Sequence, residues 1–355
     1  MVDRGRGDRT PDRLRAHAAA ADALRSRPAL RSQLVCLAGL LLAVTVVYAR
    51  TLTWPYLYED QWWHTFAWPG WGAWLGGLRE SPARGLTRLL WDGIGAPTDY
   101  AAVWQRTGSL TLHLLTGTGV WWLARRVLTG SVLGPVLATG LFLLHPLQTE
   151  AVVEVAYRSE LVMGLAVVIA LVCAERGWGR VAFVAACAAA GGKETGIIAL
   201  AVVPLWASWR ALPWWTPQTR GRWLTASAPL IGIGVAWAGY QQWVLLETGD
   251  QVRMVGMWVW LLGQWVWPVS QTIDPDWTQR LTGPVLLGIG ALSGIGLRLI
   301  RRPWTWPGFV TAWCALLILP RLVWNTGEGL HEHHLYLATP ILSLAAGALV
   351  AGRPT

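Results

Sequence analysis

Residues 133–160 read LGPVLATGLFLLHPLQTEAVVEVAYRSE, and the break inside this stretch decides how the chain is read. The run 133–144 carries no charge and belongs inside a membrane. It ends in His145 and Pro146, then meets three glutamates (Glu150, Glu154, Glu160) and one arginine (Arg158). A plain anchor has no use for that cluster. The stretch predicts a membrane helix that delivers ionisable groups to one membrane face.

Composition points the same way. Of 355 residues, 54% are hydrophobic and 14% charged, and the mean hydropathy is +0.38. That is too apolar for an ordinary soluble domain. The 27 tryptophans suit a membrane–water interface, where an apolar ring and a polar N–H are both satisfied. The expected class is an all-α polytopic membrane protein. The net charge of +9 invites a nucleic-acid reading, but the arginines alternate between loops and form no single patch, so no nucleic-acid partner is expected. Cys36, Cys173, Cys187 and Cys314 sit in apolar stretches without metal or redox spacing and read as small buried hydrophobes.

A spanning helix needs ~20 mostly apolar residues. Candidates lie near 32–50, 103–124, 131–147, 159–175, 180–192, 194–209, 224–246, 283–300, 305–323 and 334–351. A further apolar stretch, 254–269, reads as an interfacial or re-entrant segment, which brings the expectation to about 10–11 helices. Residues 1–31 read as a basic, disordered cytoplasmic tail, 32–351 as the transmembrane domain and 352–355 as a short cytoplasmic end. Basic loops favour the cytoplasm. With the tail inside, inside segments hold 19 basic and 5 acidic residues and outside segments 10 and 15. The acidic excess outside played no part in choosing the orientation. Arg125 and Arg126, ERGWGR (175–180) and WRALPWWTPQTRGR (209–222) then fall inside.

The charged motifs collect on the opposite, outer face. YLYEDQWWH (56–64) opens a long first outer loop, 51–102. In it, Glu59 and Asp60 form an adjacent acidic pair suited to metal coordination or to general-base chemistry on an attacking hydroxyl, or to a plain solvated helix end. Trp62, Trp63 and His64 form an aromatic shelf of the kind that packs on sugars or lipid headgroups. Segments 68–80 and 84–95 read as amphipathic helices in the membrane plane, with Leu86, Leu89 and Leu90 on one face of the second. Arg158 and Lys193, the one lysine of the chain, are candidate partners for a lipid phosphate. His145 reads as a cap or a substrate contact. His331, Glu332, His333 and His334 supply zinc-type ligands, but their local spacing converges poorly, and no metal is predicted there. Ionisable groups at membrane depth are costly unless they face a cavity or one another, so all of these are functional candidates.

The order FLLHPLQTEAVVEVAYRSEL (142–161), GGKETGIIALAVVPLW (191–206), WPVSQTIDPDW (267–277) and LPRLVWNTGEGLHEHHLYL (319–337) resembles the transmembrane-and-tetratricopeptide-repeat (TMTC) O-mannosyltransferases and their bacterial relatives, within the GT-C superfamily. The resemblance covers roughly residues 34–350. It implies a GT-C-like bundle in a bacterial plasma membrane, with the active site on the outer face. It implies transfer of a sugar, mannose first, from a polyprenyl-phosphate donor to a protein, glycan or lipid acceptor. By position, Asp60 matches the second acid of the family pair, the catalytic base, and Glu59 stands for the first. Glu150, Arg158, Lys193, Glu194, Asp274, Glu332 and Tyr336 match further motif positions. The chain departs from the pattern at Glu59 for Asp, Gly192 for Ser, His333 for Arg and Ala338 for Pro, and only Gly-Arg-Pro-Thr follows Ala351 where the repeats would stand. The resemblance implies no certain cofactor; a divalent metal is compatible with the acidic pair. The competing expectations are a non-catalytic lipid or glycan binder, transporter or flippase on a related scaffold, and a transferase that has lost activity.

Overall fold

The structure is a computed structural model. It describes residues 27–56, 84–98, 101–129, 131–244, 263, 265, 306–323 and 332–351. The described residues are mostly helical, with no strand among them. The longer helices are α1 (Arg27–Ala49), α2 (Gly85–Gly95), α3 (Ala102–Val127), α4 (Leu133–Leu144), α5 (Thr149–Val153), α6 (Arg158–Glu175), α7 (Gly179–Gly192), α8 (Ala199–Trp209), α9 (Pro217–Val244), α10 (Trp306–Val323) and α11 (Thr339–Ala351). Short 3-10 turns join several of them.

Two helical stretches are long and apolar enough to cross a membrane, Leu30–Thr53 and Val155–Glu175. The pair Leu133–Leu144 and Pro146–Val153, bent by 49°, makes a third if it counts as one span. At ~1.5 Å per residue, about 20 residues match a hydrocarbon core of ~30 Å. The other apolar helices among the described residues, such as α7 and α11, are shorter. The two long stretches differ in setting. Only 22% of the first is buried within the protein, against 83% of the second. The first therefore offers its valines and leucines outward, with Val35, Leu42, Val46 and Val47 exposed. The second is the hub, packed against α3, α7 and α8.

Small residues let the helices approach the hub. Ala182, Ala185, Ala186 and Ala189 of α7 are buried against α6. A Cβ on Gly192 would meet the Met163 backbone at 3.0 Å, and one on Gly196 would sit 2.0 Å from the Ala189 carbonyl. Such close backbone packing supplies cohesion between the helices.

Contacts fix the helix directions. Arg158 at the start of α6 reaches Gln105 near the start of α3, and Arg176 just past α6 lies over Trp122 near the end of α3. These two helices run in parallel. α4 runs against α11, because Gly134 near its start faces Gly347 and Ala351. α7 runs against α6, ending where Lys193 meets Glu160.

The two ends of the bundle differ in chemistry. One end gathers arginine on tryptophan: Arg125 on Trp121, Arg126 and Arg176 on Trp122, Arg176 also on Trp178, and Arg210 on Trp209. Its two reversals are built alike. After α6, Gly177 (φ 79°) takes the left-handed position, with Gly177 N–H to Ala174 O and Trp178 N–H to Cys173 O. After α8, Ala211 (φ 48°) takes the same position, with Ala211 N–H to Ser208 O and Leu212 N–H to Ala207 O. Both are Schellman closures, which satisfy the last carbonyls of a helix. The other end holds the charged motifs.

Candidate functional site

The site is built on the twice-broken segment that follows α4. Pro146 has no N–H to continue the helix, and His145 takes over the end. Its Nδ1 accepts from the Leu147 N–H at 3.3 Å, while Nε2 lies 2.9 Å from the Trp265 carbonyl and the two rings stack. One nitrogen accepts from an N–H and the other faces an acceptor-only carbonyl, so the proton sits on Nε2. His145 is thus a helix cap. A second break at Glu154, extended at φ −87° and ψ 119°, turns the chain into α6.

The glutamates of this segment are held from distant parts of the chain. Glu150 Oε2 accepts the backbone N–H of His333 at 2.8 Å and lies 3.1 Å from the ring Nδ1 of the same residue. Tyr157 stacks on the His333 ring at 3.6 Å, and the His334 ring follows at 4.0 Å. Glu160 Oε1 accepts from Lys193 Nζ at 2.5 Å, with both side chains at most 5% exposed. One oxygen of Glu160 and one ring nitrogen each of His333 and His334 lie within 4.8 Å of one another. Glu194, the next residue after Lys193, pairs with Arg84 at 3.2 Å.

Arg158 is fully buried. Its Nη2 donates to Gln105 O at 2.5 Å and its Nε to Ser109 Oγ at 3.4 Å. Its guanidinium lies 5.3 Å from the Trp91 ring centroid. Trp91 belongs to α2, whose Thr87, Trp91 and Asp92 turn into the protein while Leu89 is exposed. Of the leucines on the other face, Leu89 is exposed while Leu86 and Leu90 are half-buried, Leu86 beside Gly191 of α7. Thr87 fastens it to Gly192 O at 2.7 Å.

Three residues of α3 join the site without having been singled out from the sequence. Gln105 donates to Trp91 O at 3.1 Å. Arg106 spreads over three carbonyls, Val153 at 2.9 Å, Pro55 at 2.7 Å and Trp54. His113 holds Tyr336 Oη at 3.0 Å through Nδ1 and Leu143 O at 3.1 Å through Nε2. The carbonyl only accepts, so Nε2 carries the proton and the tyrosine hydroxyl donates. Tyr336 is fully buried and pins α3 to the turn before α11. Gln105, Ser109 and His113 recur every fourth residue, a polar stripe along α3 that would have marked them.

The structure brings His145, Glu150, Arg158, Lys193, Glu194, His333 and Tyr336 to one end of the bundle. Glu59, Asp60, Trp62, Trp63, His64, Asp274 and His331 lie outside the described residues, as does the side chain of Glu332. Buried cations beside carboxylates and imidazoles can bind an anion by exchanging one partner for another, or hold a cation between the ring nitrogens and a carboxylate. No protein-family model, curated protein or solved structure matches the chain.

Proposed function

We propose that this chain is an integral-membrane glycosyltransferase that moves a sugar, mannose first, from a polyprenyl-phosphate carrier to an acceptor hydroxyl on the outer side of a bacterial plasma membrane. The proposal keeps the full set of about 10–11 spans. One observation carries it: ionisable motif residues from segments far apart in sequence gather at one end of an apolar bundle, where Glu150 meets His333, Glu160 meets Lys193, Glu194 pairs with Arg84 and the buried Arg158 holds the Gln105 carbonyl. Charges held out of water are costly, and a bundle that needed only cohesion would use apolar residues there.

In this reading the acceptor oxygen attacks the anomeric carbon as the bond from that carbon to the carrier phosphate oxygen breaks. The electron pair leaves on polyprenyl phosphate, and the acceptor proton passes to Asp60, with Glu59 as partner or alternative base. Lys193 and Arg158 stabilise the phosphate leaving group, Lys193 by exchanging Glu160 for a phosphate oxygen. Trp62, Trp63, His64 and Asp274 shape the sugar pocket.

The test supplies purified chain in nanodiscs with radiolabelled polyprenyl-phosphate mannose and a membrane extract of the host. Transfer by the wild type and none by Asp60→Asn supports the reading. Equal transfer by both moves the base to Glu59. A wild type that binds a range of polyprenyl-phosphate sugars and turns over none of them overturns the transferase in favour of a binder.

A further inference from the structure

We infer that Glu160, His333 and His334 form a binding site for one divalent transition-metal ion of the zinc class. The sequence of residues 331–334 argues against a site made from that short stretch alone. The structure changes the question, because the third ligand comes from α6, more than 170 residues away in sequence. The donor atoms of the three residues all lie within 4.8 Å of one another, and all three residues are buried. Metal–donor bonds of ~2.0–2.1 Å place tetrahedral donors about 3.4 Å apart, so closure takes a small side-chain adjustment.

The donor set selects the ion. Two imidazoles with one carboxylate suit zinc and its neighbours, whereas magnesium and calcium take oxygen ligands. Three protein ligands leave one coordination position open, the pattern of zinc sites that bind a water or a substrate oxygen.

The surroundings hold the ligands in place. Glu150 fixes the backbone of His333 at 2.8 Å, and Tyr157 stacks on its ring at 3.6 Å, which limits the ring to one plane. Such outer partners orient metal-binding imidazoles. The turn Pro146–Gln148 packs on the turn Glu332–Leu335, and there Gln148 is fully buried with neither amide atom hydrogen-bonded among the described residues. A buried amide of this kind is what a metal-bound water would satisfy. Lys193 is the competitor. Its ammonium already neutralises Glu160 at 2.5 Å, so metal and ammonium contend for one carboxylate.

The inference stands apart from the transferase reading, because metal content is read without sugar or carrier. Full-length protein in detergent is stripped with EDTA, reloaded with zinc or cobalt and desalted. About one equivalent is expected by mass spectrometry. Zinc absorption-edge scattering from the wild type should show a nitrogen and oxygen shell with outer scattering from two imidazoles. Folded His334→Gln and Glu160→Gln proteins should each bind zinc at least about tenfold more weakly. A wild type that retains less than a tenth of an equivalent, or whose zinc shows no imidazole scattering, overturns the site. So does undiminished zinc affinity in both variants. The scattering measurement uses the wild type alone, so it decides the question even where a substituted protein misfolds.

Discussion

Lys193 Nζ lies 2.5 Å from Glu160 Oε1, and neither side chain is more than 5% exposed. The ion pair joins the end of α7 to the start of α6, at the centre of the charged end of the bundle. Removing one partner leaves the other charge buried without this counter-ion, which costs about 3–5 kcal/mol. Lys193→Met and Glu160→Gln should each lower the unfolding temperature in detergent. The double variant should recover most of the loss, since a neutral pair has no stranded charge. An additive double variant would show that the two residues do not act as a pair.

Arg106 should resist conservative replacement. Its fork serves the carbonyls of Val153, Pro55 and Trp54 at once, tying the exit of α1 to the break before α6. An ammonium cannot span three diverging acceptors. Hydrogen bonds to charged groups contribute ~1.5–3 kcal/mol each, so Arg106→Ala should cost at least about 3 kcal/mol. Arg106→Lys should restore less than half of that in a thermal-unfolding comparison.

Ala211 is the reverse case, a position where the present residue is suboptimal. Its φ of 48° is left-handed, a region that costs a residue with a Cβ roughly 1–2 kcal/mol. Glycine at the matching place in the other reversal, Gly177, avoids this cost. Ala211→Gly should therefore raise stability, by up to about 1 kcal/mol after the entropy that glycine returns to the unfolded chain. A lowered unfolding temperature would contradict the Schellman reading of this turn.

Neighbouring glycines around Lys193 should respond unequally to alanine. A Cβ on Gly196 meets the Ala189 carbonyl at 2.0 Å, and neither backbone can retreat without parting α7 from the next turn. A Cβ on Gly191 meets Leu86 Cβ at 3.8 Å, an ordinary contact. Gly196→Ala should abolish monodisperse protein in detergent size exclusion, while Gly191→Ala should elute like the wild type.

Tyr336→Phe should cost about 1–2 kcal/mol by leaving His113 Nδ1 buried without its donor. Metal content and fold should otherwise persist, as the hydroxyl is turned to α3 and the ring remains to pack on Gly164. A loss of the monodisperse form equal to that of Gly196→Ala would mean the hydroxyl holds more than one helix contact.

Much of this was legible in the residues themselves. An apolar run that stops at His145 and Pro146, and small residues through α7, follow from local composition. So does the separation of arginine-rich turns from carboxylate-rich ones, because the cost of burying charge acts on every segment alone. Partner choice lies beyond such reasoning. That Glu160 meets Lys193 and the two histidines, that Glu150 grips the backbone of His333, and that Arg158 is enclosed by Gln105, Ser109 and Trp91 depend on which helix faces meet. Rotating a helix by one residue, about 100°, changes every partner while leaving its apolar character intact. The sequence by itself determined that the chain is helical, apolar and polarised between two ends. Only the tertiary structure decided which charges neutralise one another, because that depends on distances of a few ångströms between segments up to 183 residues apart.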